Sequence, residues 1–319
     1  MSATAANPID AMASTLAEVL DEGPVSGLRQ LSGGASRETW QFATASRTLI
    51  LQRQRSGDVR DMSIEVAVLR AAHAGHVPVP EVIAASTDAG GLGAAYMVLS
   101  HVEGETIARK ILRDDTFADA RPRLAADCAV ALARLHGIDP ATVPQLPTTD
   151  QVEQYRSTLD ALGYPHPTFE LAFRWLESHR PRAGAPAIVH GDFRLGNLMV
   201  GPEGLRAVLD WELAHIGDPM EDLGWLCVKA WRFGSRKPVA GVGEYGDLLD
   251  AYGEASGIAA DPDVVRWWEV LGTLKWGIMC ILQAQSHLGG SIRSHEMAAI
   301  GRRVCENEHD LFLALDGRW

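Results

Sequence analysis

The sequence predicts an α+β protein in two parts, a small β-rich lobe carrying one helix and a larger, mainly helical lobe after it. Two patterns point there. Between about Val25 and Val102, short strand-like runs alternate with Gly-containing and polar turns, and beyond Val102 apolar side chains recur at helical spacing. Composition permits a buried core, since 46% of the 319 residues are hydrophobic and 22% are charged. The chain accordingly divides into a leader and first helix at 1–24, a β-sheet lobe at 25–102 and a helical lobe at 103–319.

The opening stretch MSATAANPIDAMASTLAEVL has no basic residue ahead of its apolar positions and contains Pro8, Asp10 and Glu18, so it reads as a helix and not as a secretory signal. LRQLSGGASRETWQF supplies two short β segments around a Gly-Gly turn, and TLILQRQ a third. From Asp61 to Ala72, Ile64, Ala67, Val68 and Ala71 fall at helical spacing; VPVPEVIAAS and AAYMVLSHV then return to β character. The stretch from Val102 to Glu105 crosses into the helical part.

There, Arg123 to His136 places Leu124, Cys128, Ala131, Leu132 and Leu135 on one stripe, which Gly137 and Pro140 end. A helix is expected over Phe169 to His179. NLMV and LRAVLD read as a hairpin across Gly201-Pro202-Glu203-Gly204. The rest reads as dominated by helices, including a long one from about Asp263 to Leu288 and another from Ser294 to Leu315.

A net charge of −12 disfavours nucleic acid and anionic membranes as partners, because neutralising phosphates needs a basic footprint. Cys128, Cys227, Cys280 and Cys305 form no Cys-x-x-Cys pair, which argues against a zinc site or a disulfide framework. The apolar run Ile278 to Leu282 falls far short of the roughly 20 residues that span a bilayer. Reduced thiols and a cytoplasmic setting are therefore expected.

The chemistry concentrates in H190-G-D-F-R-L-G-N197, followed by V208-L-D210-W-E and G217-D-P-M-E-D222. Phosphoryl transfer needs a carboxylate at the incoming hydroxyl and oxygen ligands for a cation on the nucleotide phosphates. Asp192 and Asn197 share one loop and Asp210 ends the facing strand, so an amide oxygen and a carboxylate can share a hard cation such as Mg2+. A His-x-Asp followed by an Asn at this spacing is also the pattern of the kinase catalytic loop.

On these residues the chain resembles the aminoglycoside phosphotransferase and choline kinase superfamily of small-molecule kinases, whose hallmark is His-Gly-Asp where protein kinases have His-Arg-Asp. VEGE, WLCVKAWRFG and IGRRVCENEHDL look closer to kinase-like proteins encoded with, or fused to, acyl-CoA dehydrogenases, and imply a functional link to such enzymes. The resemblance implies a protein-kinase-like bilobal fold and an ATP- and Mg2+-dependent transfer of phosphate to a small-molecule hydroxyl. It implies Asp192 as the catalytic carboxylate and Asn197 with Asp210 as metal ligands. His190 is expected to brace the loop; Arg194 and Glu212 are supporting candidates, the one near phosphate and the other through a metal-bound water.

In the β-rich lobe, Gly33, Gly34 and Ser36 sit where a kinase has its nucleotide-covering loop. Glu65 matches the helix acid that pairs with a strand lysine, but the strand LILQRQ has no lysine, and Gln52 or Arg53 takes its place. Arg53 is the favoured candidate because a guanidinium can pair with both Glu65 and phosphate. The resemblance also implies that the run Met97 to Val102 is the hinge, with Leu99, Ser100 and Val102 at the adenine.

Substrate class is less constrained. The helical part holds 22 basic and 31 acidic residues, which suits an aminoglycoside or amino alcohol, whereas Lys229, Arg232, Arg236 and Lys237 suit an anion such as the phosphates of a hydroxyacyl-CoA. A nucleotide-binding pseudokinase is the alternative from another class.

Overall fold

A computed structural model of the protein describes residues 8–33, 37–55, 60–88 and 90–318. Gly34 and Ser36 lie outside the described residues. The chain forms two compact units, one of Met1–Ala74 with Val79–Glu103 and the other of Gly75–Pro78 with Gly104–Trp319.

The first unit is built on an antiparallel sheet in the order β1-β2-β3-β5-β4, from β1 (Ser26–Gly33), β2 (Arg37–Ala43), β3 (Thr48–Gln54), β4 (Val82–Ser86) and β5 (Tyr96–Ser100). Side chains alternate across a strand, so the register fixes what each face carries. Phe42 opposite Leu49, Trp40 opposite Leu51 and Leu51 opposite Val98 share one face. There they pack with Met12 and Leu16 of α1 (Pro8–Leu20). Helix α2 (Met62–Ala74) interrupts the strands and buries Glu65, Val66, Val68, Leu69 and Ala72.

The second unit holds α3 (Ala108–Arg113), α4 (Leu124–His136), α5 (Gln151–Leu162), α6 (Pro167–Ser178), two small two-stranded sheets, and α7 (Met220–Cys227), α8 (Tyr245–Ser256), α9 (Pro262–Leu288), α10 (His295–Gly301) and α11 (Val304–Leu315). One of its cores gathers Tyr155 and Leu159 of α5, Phe169 and Phe173 of α6, Trp267, Leu271, Leu274 and Ile278 of α9, and Leu311 of α11. Burying a side chain of this size contributes about 1.5–3 kcal/mol. Asp150 begins α5 by accepting the N–H groups of Val152 and Glu153 through its side chain.

The α+β class expected from the sequence is the one observed. One element differs. The single helix expected over Ser294 to Leu315 is two, because the N–H groups of Arg302 and Arg303 bond three residues back, to Ala299 and Ile300, and tighten the helix to a stop. That break lets α11 turn Leu311 and Ala314 into the core. No helix among the described residues is long and apolar enough to cross a membrane.

Candidate active site

Strand β6 (Ala187–Val189) pairs with β9 (His215–Gly217), and the loop leaving β6 carries His190, Gly191 and Asp192. Gly191 has φ +77°, and a Cβ there would come within 2.5 Å of the Leu213 carbonyl, so only glycine fits. A short 3₁₀ turn, Leu195–Asn197, leads into β7 (Leu198–Gly201), which forms the expected hairpin with β8 (Gly204–Val208). The Leu209 N–H donates to the Asn197 carbonyl at 2.8 Å, which sets Asp210 one residue from that anchor. Asp210 is exposed and left-handed, φ +66°, a conformation that Asp tolerates better than most side chains.

His190 is fully buried and works through both ring nitrogens. The Asp192 N–H donates to Nδ1 at 3.1 Å, and Nε2 lies 3.0 Å from the Leu209 carbonyl, a pattern that fits the neutral tautomer with its proton on Nε2. Asp222, at the start of α7, accepts the N–H groups of His190 at 2.7 Å and Gly191 at 2.9 Å on its two oxygens. Oδ2 also meets His136 Nε2 at 3.2 Å, and His136 Nδ1 meets the Tyr252 hydroxyl at 3.0 Å. Burial raises the Asp222 pKa, but hydrogen bonding and charge from His136, with the backbone N–H of His190, outweigh it and leave it below the ordinary range.

The Asp192 carboxylate is held on three sides. Trp225 Nε1 donates to Oδ1 at 2.9 Å, Asn197 Nδ2 to Oδ2 at 2.7 Å, and Arg194 Nε to Oδ1 at 3.1 Å. Asn197 Nδ2 also reaches the Asp192 carbonyl at 3.0 Å, so the amide nitrogen is committed to the loop and the amide oxygen is directed elsewhere. The Arg194 guanidinium lies 4.8 Å from the Trp231 ring centroid. Glu212 is half-buried and lines a cavity of about 170 Å³ with His215 and Lys275.

In the first unit the expected ion pair has a different cation. Glu65 is forked by Arg37 through Nη1 at 2.6 Å and through Nη2, and Arg37 Nη1 also reaches Gln52 at 3.4 Å. Arg53 does not pair with Glu65, which corrects the expectation. It lies opposite Glu38 in the ladder, on the face that carries Leu49 and Leu51, and bonds to the Glu38 carboxylate at 2.5 Å and the Leu92 carbonyl at 3.0 Å. Strand alternation forces the outcome: with Leu49 and Leu51 against α1, Gln52 takes the Glu65 face and Arg53 cannot.

Gly33 ends β1 opposite Glu38. Leu99 is buried and pairs with Ile50, on the same face as Gln52. The Ser100 N–H bonds to the Glu81 carbonyl at 2.9 Å, and Val102 lies past the last ladder pair, Leu49 with Ser100.

Sequence reasoning missed Arg37, Trp225 and Lys275. Lys275 sits in α9 at 4% exposure, and its Nζ donates to the Gly191 carbonyl at 2.9 Å. A lone Lys inside the apolar text TLKWGIM was its signal. Burial lowers its pKa, but Tyr155, Glu221, Asp192 and Asp222 raise it above the usual amine value, so it stays cationic.

Next to Trp231, Ala230 and Arg232 line a cavity of about 1030 Å³ whose wall also carries Arg109, Lys229, Arg303 and His309, with Glu306 and Asp310 among them.

Residues 27–268 match the model of the phosphotransferase enzyme family. Acyl-CoA dehydrogenase family member 10 of Mus musculus is 31% identical over 250 residues, which cover 70% of this chain and 22% of that protein. The chain spans about a quarter of the length of the curated relatives it matches. Among solved structures, a Ralstonia eutropha protein assigned to the aminoglycoside phosphotransferases matches with a TM-score of 0.76 and 21% identity, covering 97% of this chain and 98% of that one. The streptomycin–ATP ternary complex of APH(2")-IIa matches with a TM-score of 0.58 and 18% identity over 88% of this chain and 91% of that one. These structural likenesses are likenesses of fold.

Proposed function

This chain belongs to the phosphotransferase enzyme family, and we propose that it is an ATP- and Mg2+-dependent small-molecule kinase whose catalytic carboxylate is Asp192. The observation that carries this reading is the carboxylate of Asp192 itself, fixed by Trp225, Asn197 and Arg194 on a loop braced by His190 and Asp222.

An acceptor hydroxyl placed at the Asp192 carboxylate gives up its proton there as its oxygen bonds to the γ-phosphorus. The bond from that phosphorus to the bridging oxygen breaks, and ADP leaves with the electron pair. Bound Mg2+ supplies neutralisation of the nucleotide's phosphate charge. The residues fit it: the Asn197 amide oxygen and the Asp210 carboxylate are hard oxygen donors that would hold it, leaving its other positions to phosphate oxygens and water. Among the described residues no three His, Cys, Asp or Glu side chains gather as a metal cage, and this two-ligand arrangement does not call for one. The ATP complex known for APH(2")-IIa supports ATP as the donor.

For the acceptor, the reading is a hydroxyacyl-CoA-type molecule. Its support is the roughly 1030 Å³ cavity whose wall carries Arg109 and His309 beside the ion pairs Lys229–Asp310 and Arg303–Glu306, together with relatives named for acyl-CoA dehydrogenases. A forked Arg37–Glu65 pair in place of a lysine pair supports an active kinase over a silent nucleotide binder.

The test is Mg2+-dependent ADP release by wild type and Asp192→Ala with hydroxyacyl-CoAs, aminoglycosides and amino alcohols. Stimulation by hydroxyacyl-CoAs, lost in the variant, is expected. Stimulation by amines alone overturns the acceptor class, and ATP binding without turnover for any acceptor favours the pseudokinase.

A further inference from the structure

Helix α9 runs through a core of the second unit, and a lysine in its middle is costly unless its charge is paired. Lys275 is paired, and two of its partners bear on Asp192. Nζ donates to the Gly191 carbonyl at 2.9 Å and lies 3.4 Å from Glu221 Oε1. It sits 4.7 Å from the Trp225 ring centroid and 5.7 Å from that of Tyr155. The other oxygen of Glu221 meets His215 Nε2 at 3.1 Å, so the carboxylate is itself held in place.

Two of these contacts converge. The peptide joining Gly191 to Asp192 is gripped at both ends, its carbonyl by Lys275 and its N–H by His190 Nδ1. Each bond polarises the peptide and strengthens the other. The indole under the Lys275 ammonium is the one whose Nε1 donates to Asp192 Oδ1, and a cation on the ring face draws electron density from that N–H and sharpens it as a donor. We infer that Lys275 is a positioning residue for Asp192, fixing its backbone through Gly191 and its carboxylate through Trp225. The inference rests on the reading of Asp192 as the catalytic carboxylate. A well-packed apolar residue at 275 would satisfy the core alone, so the cation is there for the loop.

The test combines a spectrum with kinetics. In protein labelled with 15N-tryptophan, the Trp225 indole resonance is identified by its loss in Trp225→Phe. In Lys275→Met this resonance moves while those of Trp40 and Trp175 do not. The kcat of ATP turnover with MgATP alone falls about tenfold or more, with KM for ATP within about twofold. The double variant Lys275→Met/Trp225→Phe loses less than the product of the two single losses, because the route through Trp225 is shared, and Lys275→Arg recovers most of the rate.

An unmoved indole resonance, a loss carried by KM, or single losses that multiply in the double variant each overturn the inference. Should Lys275→Met not fold, Lys275→Gln keeps a donor for Gly191 but removes the charge over Trp225, and the same resonance decides in either direction. Full turnover in Asp192→Asn overturns the catalytic reading of Asp192 and with it the kinetic arm, while the indole resonance still decides whether Lys275 holds that carboxylate.

Discussion

Arg37 on β2 forks the carboxylate of Glu65 on α2 and also touches Gln52 on β3, so the cation facing Glu65 comes from a neighbouring strand. The strand position with no lysine is thus answered across the sheet, one ladder rung from where the linear text looks for it.

Arg37→Ala and Glu65→Gln are expected to lower kcat/KM for ATP by about tenfold, the scale of losing one charge-assisted pair. Arg53→Ala, on the opposite face, is expected to change it by less than about twofold. Gln52→Lys in the Arg37→Ala background restores a cation to the Glu65 face and recovers part of the loss. Steady-state kinetics in ATP check all three, and an Arg53→Ala loss as large as that of Arg37→Ala would reverse the assignment.

Asp192→Asn keeps the shape of the site and its contacts from Trp225 and Arg194, but removes the proton acceptor. A loss of about 10²–10⁴ in kcat is expected, the usual worth of general-base catalysis. ATP affinity, read by calorimetry, should stay within about threefold of wild type, since less than 1 kcal/mol separates the two.

Asp222 holds the consecutive N–H groups of His190 and Gly191 from a fully buried position. Asp222→Ala leaves those donors and His136 without their acceptor and should cost about 3–5 kcal/mol in urea unfolding. Because the folded pKa of Asp222 is lowered, its stabilisation is complete above the unfolded value near about 3.9 and is lost as pH falls through the lower folded value. Above about pH 5, wild type and variant should therefore differ by a constant amount, and the gap should narrow as pH falls through the unfolded value towards the lower folded one.

Arg232 and Glu269 form a second buried pair, 2.6 Å apart, in which Arg232 also donates to the Cys227 carbonyl and the Tyr245 hydroxyl to Glu269 Oε2 at 2.7 Å. Glu269→Leu strands the guanidinium and should cost about 3–5 kcal/mol, whereas Arg232→Met/Glu269→Leu should recover most of it. Thermal unfolding of the four proteins of this cycle measures the coupling. Additive losses would mean that the pair contributes no mutual stabilisation.

The stretch that carries the candidate site was legible because its pattern is local. Asp192, Asn197 and the hairpin that presents Asp210 fall within one short segment, and loop, turn and strand there follow from Gly191, Gly201 and Gly204. Arg37 and Lys275 were not legible, because each acts on a partner distant in sequence: Arg37 on Glu65 across the sheet and onto a helix, Lys275 on Gly191 through the packing of α9 beside α7.

What the sequence by itself determined is the α+β class, a strand-rich part followed by a helical one, and the local spacing of the candidate residues His190 to Asp210, since periodicity, turn chemistry and motif spacing are properties of neighbours along the chain. Only the tertiary structure decided which side chain answers Glu65 and what holds Asp192 in place. Packing Leu49 and Leu51 against α1 sends Gln52 and Arg53 to opposite faces, and burying α9 delivers a cation to the Gly191 carbonyl. Both are consequences of which surfaces become buried against each other, and that is settled by three-dimensional packing, not by local spacing.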